Sequence, residues 1–320
     1  MVLKNLTNQR VCVTGGAGFL GRAVCAHLRE AGLPEPFVPR SREYDLTSPE
    51  ATRRMFEAAR PEVVIHLAAE VGGIGANQAQ PGRFFYANMM MGLNLIEEAR
   101  RRSIEKFVQV GTVCAYPKFC EVPFDEGDLW KGYPEETNAP YGVAKRALVV
   151  MLDAYRRQYG LRSVYLLPAN LYGPGDNFDS ESSHVIAAMI RKFTAAALQG
   201  QKVVTCWGSG RASREFLYVD DAAEAVALAA DRLDDPAPVN VGTGSDITIA
   251  DLATTIADLC GFGGRVEWDT SRPDGQPRRR LDTSRAARLL QWSARTALRE
   301  GLSRTVEWWR LQDPSRVAAH

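Results

Sequence analysis

Val11-Cys-Val-Thr-Gly-Gly-Ala-Gly-Phe-Leu-Gly21 is the stretch that decides the fold. Four residues suited to a buried strand run straight into glycines spaced both as GxGxxG (Gly16, Gly18, Gly21) and as GxxGxxG. Glycine permits the tight turn and lets a pyrophosphate approach the amides at the start of the following helix, where the helix dipole favours an anion. Glycine turns between strand and helix also serve packing alone, but a turn directly after the first strand favours the dinucleotide reading. Gly15, Gly16, Gly18, Phe19 and Leu20 are therefore expected against a cofactor.

Outward from this turn, short apolar runs at 37–38, 63–67, 107–110, 164–167 and 202–206 alternate with helical periodicity, as at 22–31 and 88–102. That βαβ order predicts a doubly wound parallel α/β sheet of the Rossmann type, covered on both faces. After Pro168 the chain becomes turn-rich, then shows a helix at 185–199 and an irregular stretch rich in glycine and arginine. This divides the chain into a dinucleotide domain over 1–170 and a smaller α/β substrate lobe over 171–320, with a segment near 214–240 returning to the first domain.

Composition narrows the function. The 320 residues, 45% hydrophobic and 24% charged, are ordinary for a globular chain. With 39 basic against 38 acidic residues, nothing argues for nucleic acid or an anionic membrane as partner. No apolar run is long enough to span a bilayer, and residues 1–10 lack the order of a signal peptide, so the expected compartment is the cytoplasm. The six cysteines form no CxxC pair and no metal-like cluster with the four histidines; reduced thiols and no metal are expected.

At the second apolar run the chain reads Val38-Pro-Arg-Ser-Arg42, where NAD enzymes place an acid on the ribose. Arg40, Ser41 and Arg42 suit a 2′-phosphate instead, because guanidinium offers planar, charge-assisted donors, and this favours NADP(H) over NAD. Further on, Tyr141-Gly-Val-Ala-Lys145 places a phenol and an ammonium at i and i+4 on one helix face. A tyrosine of ordinary pKa, near ~10, is a sluggish acid–base group at neutral pH, and a neighbouring cation is expected to lower it.

With these residues go His66-Leu-Ala-Ala69, Val71-Gly-Gly-Ile74, Cys114-Ala-Tyr-Pro-Lys118, Asn170-Leu-Tyr-Gly-Pro174, Ser183-His-Val-Ile186, Trp207-Gly-Ser-Gly210, Arg214-Glu-Phe-Leu217 and Pro273-Asp-Gly275. Together they resemble the extended short-chain dehydrogenase/reductases, and within them the GDP-L-fucose synthases, over nearly the whole chain. The resemblance implies NADPH-dependent 3,5-epimerisation and 4-reduction of a nucleotide-activated 4-keto sugar, GDP-4-keto-6-deoxy-D-mannose first. It places the catalytic Ser or Thr on Thr112, which completes a triad with Tyr141 and Lys145, and the epimerising acid–base pair on Cys114 and His184. Cofactor contacts are implied at Asp45, Leu46, Leu67, Ala68, Ala69, Pro168, Asn170 and Leu171, as well as at Tyr141, Lys145 and His184. Substrate contacts are implied at Asn170, Lys192, Trp207, Arg214, Asp274 and Arg279.

The residues add their own geometry. In extended chain, i and i+2 spacing turns Thr112 and Cys114 to the same side. Ser183 is expected to cap a helix starting near His184, and of the run Arg278-Arg-Arg280 only one residue need meet phosphate. Relatives pair through the YxxxK helix and the one before it, so a homodimer is expected. Three departures leave the sugar and nucleotide open: the GGAGFLG loop in place of a GHRG form, Thr112-Val113 where two serines are usual, and Ala187 in place of proline. The competing readings are an NAD(P)-dependent 3,5- or 4-epimerase that retains its cofactor without net reduction, a homologue acting on another hexose or heptose, and a redox-sensing binding protein without chemistry.

Overall fold

Val11–Thr14 forms β1 with every residue buried, and the glycine turn passes the chain into α1 (Phe19–Glu30). The computed structural model describes residues 2–180 and 182–312. Next come α2 (Pro49–Ala59), β2 (Val63–His66), α3 (Ile74–Ala79), α4 (Pro81–Arg101), β3 (Lys106–Val110), α5 (Ala139–Tyr159), β4 (Ser163–Pro168) and β5 (Asn170–Tyr172). The later elements are α6 (Val185–Leu198), β6 (Val203–Trp207), β7 (Ser213–Tyr218), α7 (Val219–Arg232), β8 (Val239–Val241), β9 (Asp246–Thr248), α8 (Ile249–Cys260), β10 (Arg265–Asp269), α9 (Ser284–Leu290) and α10 (Leu298–Leu311).

The central sheet runs β1-β2-β3-β4-β8 with every pair parallel. Its first three strands are buried throughout, as a sheet covered on both faces requires. The strand expected at 37–38 shrinks to one bridge between Phe37 and Cys12 on the outer edge of β1. Pro36 and Pro39 flank it, and neither has an N–H with which to extend a ladder. Because the chain visits one side of β1 at Phe37 and the other at β2, the strand order reverses at β1. A ligand crevice is expected there, outside the carboxyl ends of the strands.

The run at 202–206 becomes β6 but stays out of the central sheet, pairing with β10 in a separate two-stranded sheet. A third sheet has the order β5-β7-β9. Buried apolar side chains form two clusters. The first surrounds the central sheet; the second holds Phe178, Phe193, Phe216, Tyr218 and Trp309 against α6, α8 and α10. The return to the first cluster is made twice: α7 and β8 belong to it, and so do Leu281, Ala286, Leu290 and Trp292, which the expected boundary leaves in the lobe. Glu215 pins the crossing. Its buried carboxylate accepts from the backbone N–H of Leu281 (2.6 Å), Gly244 (2.8 Å) and Thr243 (2.5 Å) and from the Thr243 hydroxyl (3.3 Å).

Candidate active site

At the reversal of strand order lies a cavity of about 970 Å3. Its floor is the glycine turn. Gly15 takes φ +72°, and a Cβ there would lie 2.7 Å from the Ala68 nitrogen; a Cβ on Gly21 would collide with the Gly15 carbonyl. Gly18 caps α1 without any side-chain hydrogen bond, so the first N–H groups of the helix are left for a ligand, and Gly15, Gly18, Phe19 and Leu20 line the cavity. Arg22 ties this turn to the 173–176 segment, donating to the carbonyls of Ala17 (2.9 Å) and Gly175 (2.8 Å). The cradle thus fits a pyrophosphate on the protein's own geometry.

Two expected cofactor residues do not reach the cavity. Gly16 faces inward, where a Cβ would lie 2.7 Å from a Val38 methyl; its glycine serves packing. Arg42 is 83% exposed and pairs with Glu43 at 3.3 Å. Arg40 and Ser41 do line the cavity, as do Asp45, Leu46, Leu67, Ala68, Ala69, Pro168, Asn170 and Leu171.

The second wall is α5, started by Pro140 in its first turn and ended by Gly160 in the left-handed conformation. Tyr141 and Lys145 are both buried on its inner face, with the ammonium 6.0 Å from the phenol ring centre. Lys145 Nζ donates to the Val110 carbonyl at 3.4 Å, and burial holds it down to about 8. Tyr141 corrects the sequence expectation. Burial first, then the neighbouring Cys114, raises the phenol above its ordinary value, and the hydrogen bond with Thr112 only partly offsets this. Desolvation dominates, so the phenol stays protonated at neutral pH, ready to donate.

The extended geometry that i and i+2 spacing predicts for Thr112 and Cys114 gives way to a single 3-10 turn at Val113–Ala115. Thr112 Oγ1 accepts from the Cys114 N–H at 3.2 Å and caps that turn. Both residues nevertheless line the cavity. Gly142 makes this possible, because a Cβ there would strike the Cys114 carbonyl. Against the Cys114 sulfur lies Arg279, whose Nη1 donates at 3.4 Å and whose Nε donates to Gln276 Oε1 at 2.6 Å. Gln276 in turn donates to the carbonyls of Pro117 (3.0 Å) and Lys118 (2.8 Å). Arg279 lines the cavity with its guanidinium against the thiol.

His184 is itself the N-cap of α6 and makes no capping bond; Ser183 does not cap the helix. The imidazole is exposed and lines the cavity, and desolvation by the surrounding wall lowers its pKa. The far wall carries Lys192, which donates to the Thr205 carbonyl (3.0 Å), and Trp207, which has the Arg272 guanidinium 4.8 Å from its ring centre. Arg214 donates to the carbonyls of Ser213 (2.7 Å) and Asp274 (2.9 Å). Burial and then repulsion from Arg279 bring it down to about 10. Asp274 accepts from the Ser209 N–H and hydroxyl, both at 2.7 Å, and Asn170 donates to the Glu215 carbonyl at 2.9 Å.

Sequence reasoning missed Asp176, Arg191 and Gln276, which also line the cavity. Asp176 carries the clearest signal. Burial lifts its carboxyl to about 7, and its carboxylate accepts from the Asn177 N–H at 2.7 Å. An acid inside the Asn170–Phe178 turn was a visible candidate; the others become neighbours only through folding. Among the described residues no group of three His, Cys, Asp or Glu side chains is placed to hold a metal.

A dinucleotide cradle, a buried tyrosine–lysine pair and a thiol facing one cavity define a class, and the comparisons agree: the chain belongs to the NAD dependent epimerase/dehydratase family, whose profile matches residues 11–242. It is 40% identical over 313 residues to GDP-L-fucose synthase of Escherichia coli K12, covering 95% of this chain and 97% of that one. It is likewise 40% identical over 301 residues to a probable GDP-L-fucose synthase 1 of rice, covering 94% and 92%. A crystal structure of a GDP-L-fucose synthetase from Naegleria fowleri bound to NADP superposes with a TM-score of 0.87 at 29% identity, covering 97% of this chain and 94% of that one.

Proposed function

We propose that this protein is an NADPH-dependent epimerase/reductase that converts GDP-4-keto-6-deoxy-D-mannose to GDP-L-fucose. The observation that carries the reading is that Tyr141, Thr112, Cys114 and His184 all face one cavity, which also holds the glycine cradle at one end and desolvated cations at the other. Arg214 and Arg279 repel each other where burial weakens solvent screening, and an anionic ligand relieves that repulsion. A nucleotide diphosphate is such a ligand, with Lys192 beside it and Trp207 offering a flat face to the base.

NADPH, when bound, supplies hydride to the sugar's C4. The protein's groups do the rest. At C3 and then at C5 the Cys114 sulfur in its thiolate form, with the Arg279 guanidinium against it, takes the C–H proton; between the two steps the thiol gives that proton to solvent and His184 regains one. The bonding electrons move onto O4, giving an enolate stabilised by the Thr112 hydroxyl. His184, a stronger acid in its protonated form through desolvation, returns a proton from the other face. In the reduction Tyr141 donates the proton to O4 while Lys145 stays anchored on the Val110 carbonyl. Arg40 and Ser41 select the 2′-phosphate.

The test supplies GDP-4-keto-6-deoxy-D-mannose and NADPH in heavy water. Deuterium at two carbons with NADPH oxidation supports the reading. Label uptake without oxidation leaves an epimerase, and no reaction sends the search to other nucleotide 4-ketoses.

The same reading includes a homodimer formed through α4 and α5, supported by the exposed Phe85 and Tyr86 on one and Val150 on the other. Sedimentation at the monomer mass would overturn it. It also places the protein in the cytoplasm. All six cysteines are free, in keeping with a reducing compartment, and no helix among the described residues is long and apolar enough to cross a membrane.

A further inference from the structure

Thr14, His66, Gln109 and Tyr165 stand side by side on β1, β2, β3 and β4, each in register with the next. Partners in register project to one face of a sheet, so four polar side chains form one row, and each of the four is 0% exposed. None of them lines the cavity. Buried polar groups in a sheet rich in Val, Ile, Leu and Phe cost desolvation that apolar residues would avoid.

The bonds of the row lead to one residue on α5. The Tyr165 hydroxyl donates to the Lys145 backbone carbonyl at 2.8 Å. Gln109 Nε2 donates at 2.8 Å to the Val110 carbonyl, the same oxygen that accepts from Lys145 Nζ. At the other end Thr14 Oγ1 lies 2.7 Å from His66 Nδ1. Two atoms of the row, His66 Nε2 and Gln109 Oε1, have no protein partner. They are complementary. The bond to Val110 orients the Gln109 amide so that its oxygen is the free end. Nε2 of a neutral imidazole bears hydrogen when Thr14 donates to Nδ1.

We propose that this row is the positioning unit of Lys145, and that Gln109 is its working member, sharing the Val110 carbonyl with the ammonium so that the lysine is held beside Tyr141 without being fully bonded. The proposal rests on the reading of Lys145 as a working group of the site. The ionisable groups around the lysine are Tyr141 on its own helix, His66 on β2 and Tyr165 on β4, with Cys114 reaching Tyr141 from the 3-10 turn. Arg146 turns away, to the carbonyls of Ala115 and Gly132. Burial and the Lys145 charge keep His66 neutral, so the row supplies dipoles and no competing charge.

The test is an NMR titration of lysine labelled at Cε in the full-length protein, with the Lys145 signal identified by its loss in Lys145→Met. It needs neither substrate nor turnover, so a wrong sugar assignment leaves it intact. Lys145 should titrate near 8 in the natural protein. Gln109→Glu takes the amide donor away from the shared oxygen and, when ionised, sets a negative charge near the ammonium, which should raise the midpoint by about one pH unit or more. Gln109→Leu leaves the Val110 carbonyl to Lys145 alone and should raise it by less, which provides a second arm if the glutamate variant does not fold. Melting temperatures that fall while the Lys145 midpoint stays put in both Gln109 variants would make the row purely structural and overturn the proposal.

Discussion

Lys145 and Glu215 are both buried ionisable residues, and they are treated in opposite ways. Glu215 accepts three backbone N–H groups and a hydroxyl, so that β7, the 242–245 turn and Leu281 meet on one carboxylate. Lys145 has a single long bond to a carbonyl that it shares with Gln109. A buried charge that is fully bonded holds structure; one left short of partners is available to a ligand or a neighbouring proton donor. Even so, burial outweighs the four donors enough to raise the Glu215 carboxyl.

Removing the well-bonded charge should have the larger effect. Glu215→Ala leaves three N–H groups without their acceptor where the chain crosses between its two cores, and the expected loss is about 3–5 kcal/mol in a denaturant titration. Retention of natural stability would mean that water replaces the carboxylate and that the crossing is not pinned there. Glu215→Gln, which keeps one acceptor oxygen, should lose less.

The sequence discloses the two sides of this comparison unequally. The glycine turn and YxxxK are local patterns, in which spacing alone brings the groups together, and both lie where their spacing places them. Glu215 is visible only as a letter between Arg214 and Phe216, because its donors come from residues 28 to 66 positions away. The same holds for the row under Lys145, which exists only once four strands are in register. Cys114 shows a third case. Its neighbours in sequence suggested extended chain, but the Thr112 hydroxyl captures the Cys114 N–H and turns the backbone. Pro36 and Pro39 were legible signs that the second strand would be short.

Lys145→Met tests the under-bonded side with the opposite sign. The gap between an ordinary lysine at ~10.5 and the buried one at about 8 corresponds to roughly 3 kcal/mol of destabilisation at neutral pH. The unfolded chain holds the extra proton between those two values, so stability rises with pH across that window, and the penalty is complete only below about pH 8. Lys145→Met should therefore melt higher than the natural protein at pH 7, with the advantage shrinking toward pH 10, while reductase activity falls by about a thousandfold. A lower melting point at pH 7 would show that the lysine is better bonded than its geometry indicates.

Asp176 asks whether sparse bonding, rather than the sign of the charge, is what matters. It is a carboxylate bonded to its neighbour's N–H, and burial lifts it to about 7. For an acid raised in the folded state the native chain binds the extra proton, so stability should fall as pH climbs from about 4 to about 7. Asp176→Asn should remove that slope and gain about 1–2 kcal/mol at pH 8, the larger value implied by the shift being reduced by solvent access. A slope that survives the substitution would assign it to another group.

The smallest effect separates a charge aimed at the cavity from one aimed at solvent. Arg40 lines the cavity, whereas Arg42 is extended into water beside Glu43. Arg40→Ala should weaken NADPH binding about tenfold and leave NADH binding nearly unchanged, because only the 2′-phosphate is lost as a partner. Arg42→Ala should change either affinity by less than about twofold, since an exposed charge is screened over the distance to the cavity. Equal losses from the two substitutions would mean that the 40–42 loop closes over the cofactor and brings Arg42 in with it.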